Sequence, residues 1–354
     1  MPDGDRPRRD RGPQVMSGRR LTQPALDRLQ ALHLQFVRGV RNGRRMVLRR
    51  CDLSGLDLSG MDLTGAELLA CDFSRARLRN TKLRLARLYA ANFDGAKLIG
   101  ADLEKADLRA AAFEHADLTD ATLLGADLRD CAFINEKTNA LSAAISSSFR
   151  AATLRGTNLS NSKLKSAIFN VAVLDRVDFS HADMRETRFQ GAEFNHAKLT
   201  GARLADADLR GASFIETDLT NIDLSRTRVA STKGVTEQSI REAIGAHLKW
   251  IESGARAGER AVFTGMDLSR MNFSGANLAA AHFEAATLVD ADFSGAMLAA
   301  ANLRGANLLG ASLRGADLRG ADLLDTNMRR ADFSDCKTGT LPGTALMTLL
   351  KQAV

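Results

Sequence analysis

A five-residue period runs through most of this 354-residue chain. From residue 51 the sequence reads CDLSG LDLSG MDLTG, with a small residue, a polar residue and Leu or Phe at fixed places in each unit. The central Leu or Phe, called position i below, recurs in three blocks, 48–133, 149–229 and 263–333. Repetition of this kind is typical of a stacked repeat architecture rather than of several conventional globular domains.

Neither an α-helix nor a straight β-strand can bury residues that recur every five positions on a single face. On an α-helix successive i residues would lie about 140° apart, and on a straight strand they would alternate between faces. A chain that turns a corner every five residues instead points every i residue at a common axis. We therefore predict an all-β solenoid with four sides and coils about 4.8 Å apart. The Phe residues indicate the coil length, because they recur every 20 residues and would stack as ladders in the structural core: Phe73, Phe93, Phe113 and Phe133 in one set, and Phe149, Phe169 and Phe189 in another.

The runs GADLRGADLLD (315–325) and GANLLGASLRGADL (305–318) resemble the pentapeptide repeat family, whose consensus is A(D/N)LXX. The resemblance implies a right-handed quadrilateral β-helix, and most members of the family have no assigned function. Some members resemble B-form DNA in size and charge and bind DNA gyrase or related topoisomerases. Such mimicry needs a strongly negative rod, whereas residues 51–354 carry 36 Lys and Arg against 38 Asp and Glu. The charge therefore argues against a topoisomerase partner.

Two breaks divide the repeats. Residues 134–148 are predicted to form a loop that leaves the coil, and residues 230–262 contain a helical pattern. The segment before the first block has the same pattern, so that His33 matches His247 and Phe36 matches Trp250. Since a solenoid end exposes apolar residues and unpaired strand edges, we interpret both segments as short α-helical caps. The predicted order is a disordered basic arm (1–20), a helical N-cap (21–47), a first β-helix (48–233), a second cap (235–262), a second β-helix (263–340) and a C-terminal cap helix (341–354).

The net charge of +7 is concentrated at one end of the chain, because residues 1–50 carry 13 Arg against 4 Asp. Residues 1–20 contain little that a folded core could bury, and they are a candidate binding arm for nucleic acid or acidic lipid, with a merely solvated terminus as the alternative. A basic amphipathic helix at 25–40 could lie on a membrane, but its internal copy favours a capping role. No apolar run suits a signal peptide or a transmembrane segment, so we expect a cytoplasmic protein.

Motifs of catalysis, metal binding or cofactor binding do not emerge from the spacing of the titratable residues. Four cysteines fall two residues before an i position, where they are expected to replace Ala as small buried residues. We therefore predict a protein that is not an enzyme and has no cofactor: a scaffold that binds an unidentified protein, with its oligomeric state open. Outward-facing side chains would carry specificity, and the candidates are Arg79, Arg84 and Tyr89 on the coils and Asn135, Lys137 and Asn139 on the loop.

Overall fold

The computed structural model describes residues 15–132, 142–214, 216–229 and 236–341. Its elements in chain order are strand β1 (Val15–Ser17), helix α1 (Gln23–Val37), strand β2 (Val47–Arg49), strand β3 (Glu67–Leu69) and helix α2 (Glu237–Glu252). The three strands form one parallel sheet in the order β1-β2-β3.

Most of the remaining chain is joined by single parallel bridges between residues 20 apart. Four such bridges occur per 20 residues, each at the position just before an i residue, as in Asp52↔Asp72, Asp57↔Arg77, Asp62↔Lys82 and Glu67↔Arg87. These ladders run through residues 52–228, here called the first stack, and through residues 262–337, called the second stack. The five-residue period therefore places one bridge on each side of a coil.

The i residues form the core. Buried apolar side chains make two large clusters, one extending from Leu21 to Leu209 and the other from Ile240 to Leu318, and a small one of Ile251 and Ala279. The Phe rings of the first stack form a continuous ladder, with centroids 4.9 Å apart between Phe73 and Phe93 and 4.8 Å between Phe93 and Phe113. The next rung is Phe149, 4.6 Å from Phe113, and Phe169 and Phe189 follow at 4.5 and 5.2 Å.

The prediction that Phe133 follows Phe113 in this ladder is wrong, because Phe149 occupies that place. Phe133 itself lies outside the described residues. Bridged residues on either side of the break are 36 apart, as in Ala112↔Ser148, instead of 20. Cys131 pairs antiparallel with Ile145, so the chain departs from the parallel ladders at Cys131. The predicted loop also extends too far, since Ser147 is buried and its hydroxyl donates to the Leu108 carbonyl oxygen at 3.0 Å.

The corners of the coil impose a left-handed backbone conformation two residues after nearly every described i position, with Asp130 and Arg226 as exceptions. Glycine adopts it without strain, as at Gly95 (φ 65°), but Leu85 (φ 56°) and Val171 (φ 52°) adopt it as well. The four ladders of hydrogen bonds thus dictate the turn whatever side chain is present.

Helices α1 and α2 lie within the two ranges predicted to be caps. In α1 the buried His33 accepts a hydrogen bond at Nδ1 from the Met46 backbone N–H (3.0 Å), and in α2 His247 does the same with Ala261 (3.1 Å). Phe36 stacks on His33 and Trp250 on His247, with centroids 5.8 and 5.5 Å apart.

The predicted disordered arm is too long. Strand β1 pairs with β2 in the register Val15↔Val47 to Ser17↔Arg49, and Arg20 bridges Asp52. Residues 15–20 therefore add a partial coil beneath the first stack, because they satisfy backbone groups that β2 would otherwise expose. Residues 1–14 and the predicted C-terminal helix from residue 342 onward lie outside the described residues.

Candidate protein-binding surface

The side chains predicted to carry specificity on the coils do not form one patch. Arg79, Arg84 and Tyr89 follow three successive i residues, and their backbones belong to three different bridge ladders, so they lie on three sides of the same coil. Arg79 is exposed, whereas Arg84 and Tyr89 are half-buried.

Arg84 and Tyr89 are engaged by neighbours one coil away. The Arg84 guanidinium pairs with Glu104 and lies 3.6 Å from Asp102. The Tyr89 hydroxyl donates to Cys131 Sγ at 3.6 Å, and the Arg109 guanidinium lies 5.5 Å from the centre of its ring. Burial, with Cys131 as a further cause, raises the pKa of Tyr89 to about 12. Tyr89 therefore stays a neutral phenol that packs where the loop leaves the coil.

The loop candidates Asn135, Lys137 and Asn139 lie outside the described residues. The structure does show how the loop is anchored, because Cys131 and Ile145 exchange two backbone hydrogen bonds of 3.0 and 2.9 Å. The described base of the loop thus lies beside Tyr89, whose hydroxyl donates to Cys131 Sγ.

One corner of the first stack is a continuous column of side chains that follow the Phe ladder. Backbone N–H groups two residues after each Phe or Leu rung donate to the next coil, from Gly55 to Ser74 and onward to Gly191 and Arg210. This corner column consists of Gly55, Arg75, Gly95, His115, Ala151, Val171, Gly191 and Gly211 with the residue preceding each.

The first half of the corner column is an open groove of about 640 Å³. Its charged lining includes Arg20, Arg75, Asp94, Glu114 and His115. Asp94 accepts a 2.9 Å hydrogen bond from the Glu114 backbone N–H, and Glu114 accepts one of 3.1 Å from the Ser148 hydroxyl. Burial raises the pKa of the Asp94 carboxyl, and the neighbouring Glu114 carboxylate adds to this effect. The groove thus holds two carboxyl groups, Asp94 and Glu114, fixed by hydrogen bonds and flanked by the exposed side chains of Arg75 and His115.

The second half of the corner column is covered by the second stack. Asn307 Nδ2 donates to the Gly211 carbonyl oxygen at 2.7 Å, and Asn327 Nδ2 donates to Gly191 at 3.3 Å. Farther along, the guanidinium of Arg150 lies 2.9 Å from the Asp325 carboxylate. As residue numbers fall along the first stack they rise along the second, so the two stacks lie side by side and run antiparallel.

The two stacks are in van der Waals contact at these corners. A methyl group at Gly211 would lie 3.5 Å from Asn307 Cβ, and one at Gly191 would lie 3.6 Å from Asn327 Cβ. Glu193 accepts from both Asn327 Nδ2 and Arg329 Nη1 at 3.1 Å, which neutralises a carboxylate that the contact buries.

Sequence reasoning missed both halves of the corner column. One signal was available: Asn307 and Asn327 occupy the place where the repeat usually carries an exposed Asp, and next to Asn307 the outward residue is Leu309, which is only 6% exposed. An Asn side chain next to an exposed-looking Leu on the outer face of the repeats indicates that this face packs against another part of the protein.

The titratable residues of the described ranges give no sign of a reaction centre. No group of three or more His, Cys, Asp or Glu side chains there could hold a metal ion. Cys51 and Cys71 are buried as expected, whereas Cys131 and Cys336 are half-buried. Among the described helices, none is long and apolar enough to cross a membrane.

Comparison with known proteins reveals similarity to repeat proteins. HetL, a pentapeptide repeat protein involved in heterocyst differentiation regulation in the cyanobacterium Nostoc sp. strain PCC 7120, is 22% identical, with 89% of this chain and 96% of that one covered, at a TM-score of 0.27. QnrB1, a plasmid-mediated fluoroquinolone resistance protein, is 16% identical over 61% of this chain and 88% of its own, at a TM-score of 0.24. A pentapeptide repeat protein of the Arabidopsis thaliana thylakoid lumen is 22% identical over 53% and 89%, at 0.17. At such TM-scores none of these likenesses carries an argument, and no curated protein matches the chain.

The family model for pentapeptide repeats accounts for most of the sequence. It matches residues 44–80, 71–109, 98–133, 152–191, 187–226, 259–295 and 296–335, which include both stacks. Membership implies a β-helix, in agreement with the ladders of parallel bridges. This chain belongs to the pentapeptide repeat family.

Proposed function

We propose that this protein is a non-catalytic scaffold, a right-handed four-sided β-helix folded back on itself, which binds a protein partner in the groove of the first stack. The observation that carries the proposal is the continuity of the corner column. Its second half already binds a repeat stack through buried amide-to-carbonyl hydrogen bonds, and its first half offers the same backbone geometry with no described residue covering it.

The charges of the groove favour a polar protein segment with both signs of charge. Arg75 and His115 are exposed on either side of Gly95, and Asp94 and Glu114 lie beside them. A partner would align opposite charges with these groups, which gives specificity and register more than raw affinity. The loop residues Asn135, Lys137 and Asn139 and the side chains of Arg79, Arg84 and Tyr89 are secondary candidate contacts.

The test places a photo-crosslinking amino acid at position 75 of the full-length chain, and at position 79 for comparison. A groove partner crosslinks from position 75 and is identified by mass spectrometry. Arg75→Glu should then weaken binding of the purified partner at least tenfold, whereas Arg79→Glu, the same change at a secondary contact on the next side of the coil, should weaken it twofold at most. Equal binding by both variants would contradict the groove, and turnover of a substrate by the purified protein would contradict the scaffold.

A second candidate function rests on the basic N-terminal region. Arg19 and Arg20 are exposed next to β1, and the arginines of residues 1–14 precede them. Nucleic-acid binding through this arm would weaken steeply with salt and disappear on deletion of residues 1–14. Binding to DNA or RNA that survives this deletion would contradict the arm as its site.

A further inference from the structure

A row of apolar side chains lies exposed on the outer face of α1. Leu32 is 38% exposed, Phe36 43% and Val40, just beyond the helix, 51%. Leu32 and Phe36 are four residues apart and share one side of the helix, and Val40 follows directly after the left-handed turn at Gly39. We call these three residues the α1 ridge. The buried residues of the helix are Leu26 and His33, and Phe36 stacks on His33 while 43% of its own surface stays exposed.

Arginines surround the α1 ridge. Residues 19–50 contain nine Arg and a single acidic residue, Asp27. Arg28, Arg38 and Arg44 are exposed. The Arg44 backbone N–H donates to the Leu32 carbonyl oxygen at 3.0 Å, which holds the basic turn directly against the ridge. The surface is thus apolar at its centre and positive at its rim.

The second cap shows which of these features capping requires. Arg45 Nε donates to the Gly65 carbonyl oxygen, and its counterpart Arg260 donates to Ala280. Gly43 and Gly258 pack on the helix backbone at Phe36 and Trp250 respectively. These shared contacts, with the paired histidines, are the capping machinery.

Three of the exposed arginines are not shared, although Arg41 has its counterpart in Arg256. The positions of Arg28, Arg38 and Arg44 hold Glu242, Glu252 and Glu259 in the second cap. Residues 236–260 carry four acidic and four basic residues, whereas residues 22–45 carry one and five. The apolar row is absent too: Leu32 corresponds to the half-buried Ala246, and Phe36 to Trp250, which is half-buried with Arg260 5.8 Å from its ring centre. Capping therefore explains Phe36, which stacks on His33 as Trp250 stacks on His247, but neither the basic rim nor the exposure of Leu32 and Val40.

We propose that the α1 ridge and its arginines dock the protein onto an anionic membrane surface. Leu32, Phe36 and Val40 would enter the boundary between headgroups and acyl chains, and Arg28, Arg38 and Arg44 would pair with acidic headgroups around them. An aliphatic row enclosed by arginines suits a lipid interface better than a nucleic acid, whose grooves would leave Leu32 and Val40 in contact with phosphates. The proposal is independent of the groove on the first stack.

The experiment is co-sedimentation of the full-length protein with vesicles of phosphatidylcholine alone or mixed with phosphatidylserine. Binding should require phosphatidylserine and should weaken as salt is raised. The variant Arg28→Glu/Arg38→Glu/Arg44→Glu introduces the charges of the second cap and should lower the apparent affinity about a hundredfold. Leu32→Ala/Phe36→Ser should lower it about tenfold or more with the arginines intact.

The control variants separate the ridge from the arm. Deletion of residues 1–14 should retain at least half of the vesicle binding, and Arg155→Glu/Arg270→Glu, at two exposed arginines on the coils, should bind as the unaltered protein does. Thermal unfolding of each variant verifies that the caps are intact. The proposal is overturned if full-length protein fails to bind phosphatidylserine vesicles at low salt, if deletion of residues 1–14 abolishes binding, or if the ridge variant binds normally. Tighter binding to duplex DNA, insensitive to Leu32→Ala/Phe36→Ser, would also overturn it.

Discussion

Asn307 in the second stack donates a 2.7 Å hydrogen bond to the backbone carbonyl oxygen of Gly211 in the first stack, 96 residues earlier in the chain. The Asn307 side chain is completely buried. Asn327 repeats the contact one coil later with Gly191. Two amide groups on adjacent coils therefore set the register in which the stacks lie side by side.

Replacing both amides, as Asn307→Ala/Asn327→Ala, should separate the stacks. Each change leaves a buried carbonyl without its donor, at a cost of about 1–3 kcal/mol. We expect a larger radius of gyration in small-angle X-ray scattering and faster proteolysis between residues 230 and 236. Asn272→Ala changes an exposed Asn at the same repeat position and should have neither effect. An unchanged scattering profile in the double variant would contradict this role.

Phe113 lies between Phe93 and Phe149 in the ring ladder and is fully buried. Phe113→Ala should lower the free energy of unfolding by about 3–5 kcal/mol, because the stacked coils cannot collapse into the space. Urea denaturation measures the loss. Phe36→Ala, at a ring that is 43% exposed, should cost much less. Similar losses for the two variants would show that the ladder is not the core of the stack.

The two cap histidines should make stability depend on pH. Nδ1 of each ring accepts a backbone hydrogen bond, so the folded protein requires the neutral ring, and burial lowers the pKa of both His33 and His247. As pH falls below about 6.5, the unfolded chain binds protons first, so their contribution is fully present above that pH and is lost below it. Thermal unfolding between pH 5 and pH 8 should show this decline. The fall in unfolding temperature with decreasing pH should be smaller in His33→Gln/His247→Gln. An identical fall in this variant would show that the two histidines do not cause it.

Leu85 is 56% exposed and holds a left-handed backbone conformation, φ 56°. Asn tolerates that conformation better than Leu, so Leu85→Asn should raise the free energy of unfolding by about 0.5–1 kcal/mol. Asn80 already adopts the same conformation at the preceding corner. Chemical denaturation measures the gain, and a destabilised variant would mean that the Leu85 side chain contributes packing that its exposure does not suggest.

Burial raises the pKa of the Cys71 thiol to about 12. Cys71 should therefore react with a thiol reagent at pH 8 only as fast as the protein unfolds. Cys131, which is half-buried at the loop exit, should react faster. Comparing the labelling kinetics of Cys71→Ser and Cys131→Ser shows which cysteine gives the slow phase and which the fast phase. Rapid labelling of Cys71 in the native protein would contradict its placement in the core.

Local sequence was sufficient to predict the coil, because each five-residue unit buries its own Leu or Phe and forms backbone hydrogen bonds with the units 20 residues before and after it. The Phe spacing predicted the ladder up to Phe113, and the paired histidines predicted two equivalent helices. The prediction for Phe133 failed because the residues CAF at 131–133 match the repeat pattern as well as the residues that do belong to the Phe ladder. Nothing local distinguishes it, since Cys131 leaves the coil by pairing with Ile145.

The candidate surfaces were less accessible to sequence reasoning. Arg84 and Tyr89 have the outward repeat position expected of contact residues, yet Glu104 and Arg109 one coil away engage them. The groove depends on which half of the corner column remains uncovered, and that depends on where the second stack lies.

The sequence by itself determined a pentapeptide repeat chain with two stacks, a Phe-lined core and two helical caps, because a period of five permits few other ways to bury its apolar residues. Only the tertiary structure decided that the second stack folds back along the first, that one half of a corner column stays open, and that α1 leaves Leu32, Phe36 and Val40 exposed among arginines. The physical reason is the separation along the sequence of the residues that make each contact. Repeat geometry is encoded by hydrogen bonds between neighbouring coils, whereas the contact of Asn307 with Gly211 joins segments that no local pattern relates.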